Sequence, residues 1–349
     1  MRLICRIQSL ILIITVIASS FSNSNTLALV NNVKTNDQIN ETTMNIVASI
    51  SIVADFAGEV CKGLHTVESI VRGNKNPHIY EPSPLEIQKV AESDLFIRLG
   101  IDGLEPWVKS VLEANPGLRV LELVTPTMIK YDSIIAADNP HVWMNPNNVK
   151  IMTELIYDEL IKIDLANNDT YYGNLNNYHG ELNDLLERIN QTKLLVNGTK
   201  VVVHHPSFKY LFDLLGIIRV GAIEEREDSE PSPEHIQEVI QKISNENVTI
   251  IVNQPQLDDT RINQIARDTG IKIAELTPLL GVYQLEDYIS MMDFDLNAIL
   301  NPFNPPERII GWATWMLLGV GIGMILTTII MVIIVRIRNP RKIVGKEGN

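Results

Sequence analysis

Cysteine is almost missing from this chain. Only Cys5 and Cys61 occur in 349 residues, and Cys5 lies inside an N-terminal segment that reads as a removable leader. The mature protein thus has no cysteine pair for an intrachain disulfide, and a Cys-rich metal site is excluded. Any bound metal must be held by histidine and carboxylate. Basic residues are scarce as well: 29 Lys+Arg stand against 42 Asp+Glu, a formal net charge of -13. Nucleic-acid binding, which needs clustered Lys and Arg to neutralise phosphates, is therefore excluded. The acidity itself reads as ordinary solubility. Enzyme signatures are lacking too. The soluble part has no Gly-x-Gly-x-x-Gly, phosphate loop, His-Glu-x-x-His or Gly-x-Ser-x-Gly.

What is present begins with two membrane signals. Arg2 and Arg6 precede an apolar run from Leu10 to Ala18 and a polar Ser/Asn stretch. That order is expected of a secretory signal, with cleavage after Ala18 or Ala28, and the run is too short to span a bilayer comfortably. No Cys ends the apolar run, so no lipoprotein-type anchor is expected. Residues 310–335 carry no charge and are long enough to cross a bilayer. Trp312 and Trp315 sit at the segment's start, and Arg336, Arg338, Arg341 and Lys342 follow its end. Aromatic residues favour the interface and basic residues the cytoplasmic side. The expected topology is a single-pass protein of the cell membrane with its body extracytoplasmic. Gly319-Val-Gly-Ile-Gly323, inside that span, reads as a helix-packing face. Five Asn-x-Ser/Thr sequons, at Asn40, Asn168, Asn190, Asn197 and Asn247, add weak support for an extracellular body.

The body is 45% hydrophobic and 20% charged over the whole chain, a globular balance. Apolar runs at 46–50, 95–99, 120–123, 201–203, 248–252 and 271–276 read as strands, and residues 84–93, 148–162 and 233–244 as amphipathic helices. Alternation of this kind implies an α/β fold with parallel sheets covered by helices. It is interrupted once. Residues 169–194 carry Leu175, Leu182, Leu185, Leu186 and Ile189 at helical spacing without a proline. One long helix between two βα blocks implies two lobes joined by a strut. The expected division is a signal at 1–28, a flexible leader at 29–44 and an N-terminal lobe at 45–165. A linking helix follows at 166–195, then a C-terminal lobe at 196–300. A Pro-rich linker at 301–309 leads to the transmembrane helix at 310–335 and a cytoplasmic tail at 336–349.

Seven histidines occur: His65, His78, His141, His179, His204, His205 and His235. Two share a setting, Asn76-Pro77-His78-Ile79-Tyr80 and Asn139-Pro140-His141-Val142-Trp143. Proline before the histidine stiffens the turn, and an aromatic two residues on is expected to wall off one side. His205 follows the run 201–203, at the carboxyl end of an expected strand, where open α/β sheets bind ligands. Neutral imidazole is the commonest metal ligand, and three of them suit a tetrahedral zinc ion. His65, His179 and His235 read as helix or turn surface residues with no metal role.

These motifs resemble those of the zinc and manganese solute-binding proteins of ABC transporters. Asn-Pro-His78-Ile-Tyr-Glu-Pro-Ser-Pro84 is similar to that family's Asp-Pro-His-x-Tyr-Glu-Pro-x-Pro, and Asn-Pro-His141-Val-Trp-Met-Asn-Pro146 to its Asp-Pro-His-x-Trp-Leu-Asp-Pro. His205-Pro-Ser-Phe-Lys-Tyr210 is similar to its His-x-Ala-Phe-x-Tyr, and Leu99-Gly100 through Trp107 to its Gly-x-x-x-Glu-x-Trp stretch. Glu230-Pro-Ser-Pro-Glu234 resembles the start of a shared helix. The likeness covers residues 45–285. It implies two α/β lobes bridged by one long helix, with His78, His141 and His205 as metal ligands between them. It implies capture of Zn2+, with Mn2+ as the alternative, for a membrane permease. Histidine at the third position goes with zinc members. The family's fourth ligand, Asp in Leu-Asp-Pro, is Thr277 in Leu276-Thr277-Pro278, and its Glu-Pro-Gln is Gln254-Pro255-Gln256.

The fourth position is thus expected to hold water or a weak ligand. Glu275 lies about 6.6 Å back along its strand at 3.3 Å per residue, too far for its carboxylate to substitute. Glu224, Glu225 and Glu227 lie in a polar loop from which a carboxylate could swing in. Two other function classes fit parts of this pattern. Three ligands plus water is also the catalytic zinc arrangement, with Glu81 as the nearest general base, which would make a zinc hydrolase. A metal-dependent surface adhesion or interaction protein would keep the fold without transport.

Overall fold

The computed structural model describes residues 43–73, 75–101, 103–124, 139–224 and 230–306, with Ile329 and Met331 beyond them. The expected signal, residues 29–42 of the leader, the cytoplasmic tail and all but two residues of the apolar span lie outside the described residues. Among the described residues no helix is long and apolar enough to cross a membrane.

Two four-stranded parallel sheets form the frame. The first contains β1 (Asn45–Ile50), β2 (Thr66–Val71), β3 (Leu95–Arg98) and β4 (Val120–Glu122) in the order β2-β1-β3-β4. The second contains β5 (Lys200–Val203), β6 (Ile218–Ala222), β7 (Ile250–Asn253) and β8 (Lys272–Glu275) in the order β6-β5-β7-β8. Parallel pairing needs crossover helices. These are α1 (Ser51–Cys61), α2 (Pro84–Ala91) and α3 (Val108–Ala114) in the first half, and α6 (Lys209–Leu215), α7 (Pro233–Asn245) and α8 (Thr260–Thr269) in the second. Between the halves run α4 (Pro146–Ile163) and α5 (Asn168–Val196), and α9 (Tyr288–Leu300) closes the described body.

Two strands, β2 and β6, escape the apolar-run reading, and both are sheet edges. Their outer halves face solvent, with Thr66, Ile218 and Arg219 exposed, so Thr66–Val71 and Ile218–Ala222 never form a continuous hydrophobic stretch. The inner strands read clearly because both their faces are covered. Val201 and Val203 point into the main core, whereas Val202 joins Ile251 and Ile273 in a second cluster under α7 and α8. That alternation is the two-residue period of a strand.

The strut is one continuous 29-residue helix, α5, about 43 Å long at 1.5 Å per residue. Tyr171, Leu175, Tyr178, Leu182, Leu185 and Ile189 form its buried stripe. It packs on α1 and α4 of the first half and on α6 and α9 of the second. Arg188 clamps Asp293 of α9 through two hydrogen bonds, at 2.7 and 3.1 Å. Near its N-terminal end the Tyr171 hydroxyl donates to Asp164 and contacts His65.

The halves also meet directly. Tyr288, the first residue of α9, donates its amide to Asp55 of α1 at 3.1 Å and its hydroxyl to the Trp143 carbonyl at 2.7 Å. Burial is the main influence raising Asp55 to about 7, against the amide that lowers it. Gly73, beyond β2, and Gly281, beyond β8, meet backbone to backbone: a Cβ on Gly281 would lie 2.7 Å from the Gly73 Cα. Their φ angles of +62° and +91° independently favour glycine.

Gly173 and Gly180 are the weak points of α5. Both are exposed, and a Cβ at either would meet nothing within 4 Å. Gly173→Ala and Gly180→Ala should therefore each stabilise the body by about 0.5–1 kcal/mol, read as a raised urea midpoint. A loss of stability in both would contradict a regular helix there.

Candidate metal centre

His78 and His205 follow the carboxyl ends of parallel strands, as expected for ligands of an open α/β sheet. His78 sits in the single helical turn Pro77–Ile79 after β2. The Asn76 side chain accepts the His78 amide at 3.0 Å, an Asx turn that explains why Asn precedes Pro-His. His141 repeats the device, with its amide donated to the Asn139 Oδ1 at 3.1 Å. His205 follows β5, whose ladder continues as the His204 amide donates to the Val252 carbonyl at 2.8 Å.

The structure brings these three imidazoles together. Their ring centroids form a nearly equilateral triangle with sides of 5.5, 5.6 and 5.4 Å. One ring nitrogen from each lies within 4.8 Å of the others, and no other cluster of this kind occurs among the described residues. Zn–N bonds of about 2.05 Å in a tetrahedron imply nitrogens roughly 3.3 Å apart. The rings therefore need to close inward by somewhat less than an ångström each.

Hydrogen bonding at Nδ1 settles which nitrogen faces inward. His78 Nδ1 donates to the Gly103 carbonyl at 3.0 Å and His205 Nδ1 to a Glu224 carboxylate oxygen at 2.9 Å. His141 Nδ1 donates to Asn139 Oδ1 at 3.2 Å. All three partners are acceptors, so each ring keeps its lone pair on Nε2. Outer partners of this kind fix the tautomer and raise ligand basicity. His205 Nε2 is buried without a hydrogen-bond partner. Burial first, and then the neighbouring His205 and His78, hold His141 well below the ordinary imidazole value of 6.5. His141 is thus held toward the neutral imidazole.

The supports are themselves supported. Glu105, fully buried, accepts the Leu99 and Gly100 amides and the Arg98 guanidinium, at 3.0, 3.1 and 3.2 Å. It shapes the loop that offers the Gly103 carbonyl to His78. Glu224 is set by its own amide, which donates to the His204 carbonyl at 2.9 Å. Sequence reasoning placed Glu224 in a loop as a swing-in ligand, whereas its carboxylate holds the far side of His205. The signal lay in its position, two residues past the edge strand β6. Glu225 and Glu227 lie outside the described residues.

The remaining expectations divide. Trp143 lines the cleft and lies 5.2 Å from the His141 ring, as an aromatic wall should. Tyr80 does not, because its hydroxyl turns away to Glu86 of α2 at 2.8 Å. His65 is not a surface residue: its side chain is 3% exposed and contacts Tyr171 and the Met44 amide. It belongs to the core that fastens α5. His179 contacts Thr153 and His235 donates to the Ala222 carbonyl, both remote from the cleft. Glu275 is engaged by Asn253 and Tyr283 and lies off the cleft, and Glu81 is exposed. No Asp or Glu is among the described residues that line the cleft.

The family model for the periplasmic zinc-uptake complex component A, ZnuA, matches residues 46–301. A metal ABC transporter substrate-binding lipoprotein of Lactococcus lactis is 27% identical over 281 residues, covering 76% of this chain and 90% of that protein. The manganese-binding lipoprotein MntA of Halalkalibacterium halodurans is 25% identical over 268 residues, covering 74% and 88%. Among solved structures, the crystal structure of ZnuA superposes with a TM-score of 0.64 at 26% identity, covering 73% of this chain and 98% of that one.

The depressed His141 has a consequence for stability. The unfolded chain takes up this proton near pH 6.5, while the folded chain takes it up only at lower pH. Acidification below pH 6.5 therefore favours unfolding until the folded value is reached. In metal-free protein, His141→Gln should flatten the fall of the urea midpoint between about pH 6.5 and 5. An unchanged slope would show that His141 is not held neutral.

Proposed function

The chain belongs to the periplasmic zinc-uptake complex component A family, and from that premise we propose that its body captures one divalent transition-metal ion and passes it to an ABC-transporter permease. It is a binding protein and not an enzyme, as the family's members are. The observation that carries the reading is the convergence of three imidazoles, each with Nδ1 tied to an acceptor, on one cleft. A hydrolase would need a base beside the bound water. The described cleft lining offers no carboxylate, and Glu81 faces solvent.

Zinc is the metal that this donor set favours. Imidazole suits zinc, whereas carboxylate and carbonyl oxygen suit manganese. The related manganese-binding protein shows that the fold alone does not choose. The body is further proposed to stand on the extracytoplasmic face. It would be rooted by the uncharged run 310–335 and oriented by the basic residues at 336–342. That anchor rests on sequence, outside the described residues.

Metal analysis of protein purified without chelator should find one zinc per chain. His78→Ala, His141→Ala and His205→Ala should each weaken zinc binding by about 100-fold or more, since loss of an outer partner alone costs 10–100-fold. His179→Ala should leave affinity unchanged. Equal effects of the two sets in calorimetry would remove the site. For topology, protease added to intact cells should digest the body and spare a tag placed after Asn349. A protected body would remove the extracytoplasmic reading.

A further inference from the structure

Gln256 lines the same cleft as His78, His141 and His205. It follows β7 in the Gln254-Pro255-Gln256 loop, so its side chain arrives from the second sheet, as His205 does. Its amide orientation is dictated by Thr277. The Thr277 hydroxyl donates its one proton to the Leu279 carbonyl at 2.7 Å and accepts the Leu279 amide at 3.3 Å. Toward Gln256, 3.0 Å away, it can only accept, so the Gln256 nitrogen must face Thr277. The carbonyl end is thereby turned the other way. Gln256 Oε1 is buried and has no hydrogen-bond partner. A buried acceptor left open calls for an explanation, and an ion is among the recognised ones.

The other oxygens nearby are committed. Gln254 Oε1 accepts the Ser207 hydroxyl at 3.0 Å, and Asn76 and Asn139 accept backbone amides. Glu224 holds His205, and Glu275 is held by Asn253 and Tyr283. Thr277 is wholly buried and does not itself line the cleft. Resting on the metal-binding reading above, we propose that the side-chain carbonyl of Gln256 is the fourth protein ligand of the bound ion, held in orientation by Thr277. The expected water at that position is replaced by a neutral oxygen donor. Zinc accepts three nitrogens and one oxygen in a tetrahedron.

Two features follow from the donor set. All four ligands are neutral, so the ion keeps its full charge, and Glu224, behind His205, is the carboxylate in contact with the ligand shell. Thr277 acts as a positioning residue: it touches the ligand and not the metal.

The test titrates the full chain in detergent with Zn2+ against a chromophoric chelator, and records the visible spectrum of the Co2+ form. Gln256→Leu should keep one site per chain, weaken zinc by about tenfold or more, and alter the Co2+ bands while thermal unfolding stays unchanged. Thr277→Val should weaken zinc by roughly 3–10-fold, because the amide is then free to turn over. Gln256→Glu places a carboxylate at the same reach and should tighten binding. That variant decides the matter if Gln256→Leu fails to fold. Zinc affinity within twofold of the parent in both Gln256 variants, with the Co2+ spectrum unmoved, overturns the assignment. His205→Ala separates the two levels. If it abolishes binding while the Gln256 variants do nothing, only the fourth ligand is wrong; if it too does nothing, the metal site falls.

Discussion

The side chain of Asn139 is the tie on which the centre depends. Its carbonyl oxygen accepts both the amide and the Nδ1 proton of His141, while its amide nitrogen donates to the Pro206 carbonyl, beside His205, at 2.5 Å. Its own backbone carbonyl accepts the Tyr210 hydroxyl at 2.9 Å. One residue thus sets the His141 ring and braces the loop that carries His205. It is buried, so these bonds are made away from competing water and hold geometry more firmly than exposed ones. An aspartate could accept as Asn139 does, but it could not donate to Pro206.

Around that tie the interface is continuous. Trp143 donates its indole proton to the Pro278 carbonyl at 2.7 Å, Tyr288 bonds the Trp143 carbonyl, and the Gly73 and Gly281 backbones touch. A 29-residue helix backs the whole arrangement. Large hinge closure would have to break these contacts together. The ring separations ask for much less, because a contraction of less than an ångström suffices. A site so nearly preformed spends little of its binding free energy on ordering its own groups.

How far the sequence reveals this depends on whether each feature is local. The inner strands are legible because burial on both faces makes them continuous apolar runs, and α5 because its stripe from Tyr171 to Ile189 holds helical spacing for about five turns. Edge strands β2 and β6 are not legible, since Glu68 and Ser69 in one and Arg219 and Gly221 in the other interrupt any apolar run. The three clustered histidines stand out because Asn-Pro-His and His-His-Pro are local turn chemistry. Their supports do not. Gly103, Glu224 and Asn139 act through contacts 25, 19 and 67 residues apart, the last being Asn139 to Pro206. His65 misleads for the same reason: it looks like a turn residue, and only the packing of α5 over it makes it core.

Charge gives the last step. The expected aspartate at position 277 is replaced by a threonine whose amide donates to Asp295 at 2.8 Å. Asp295 is fully buried, its second oxygen has no partner, and burial raises it well above the ordinary carboxylate range, against the Thr277 amide that lowers it. A carboxylate at 277 would stand one residue's reach from this group, and the two would resist ionising together. Threonine removes that conflict, and its hydroxyl becomes available to orient Gln256. The cleft then presents dipoles and lone pairs in place of negative charge. A dipolar shell holds a dication less strongly than a carboxylate shell does. In the proposed carrier, threonine in place of an anionic side chain at 277 would therefore ease release, a step as necessary there as capture.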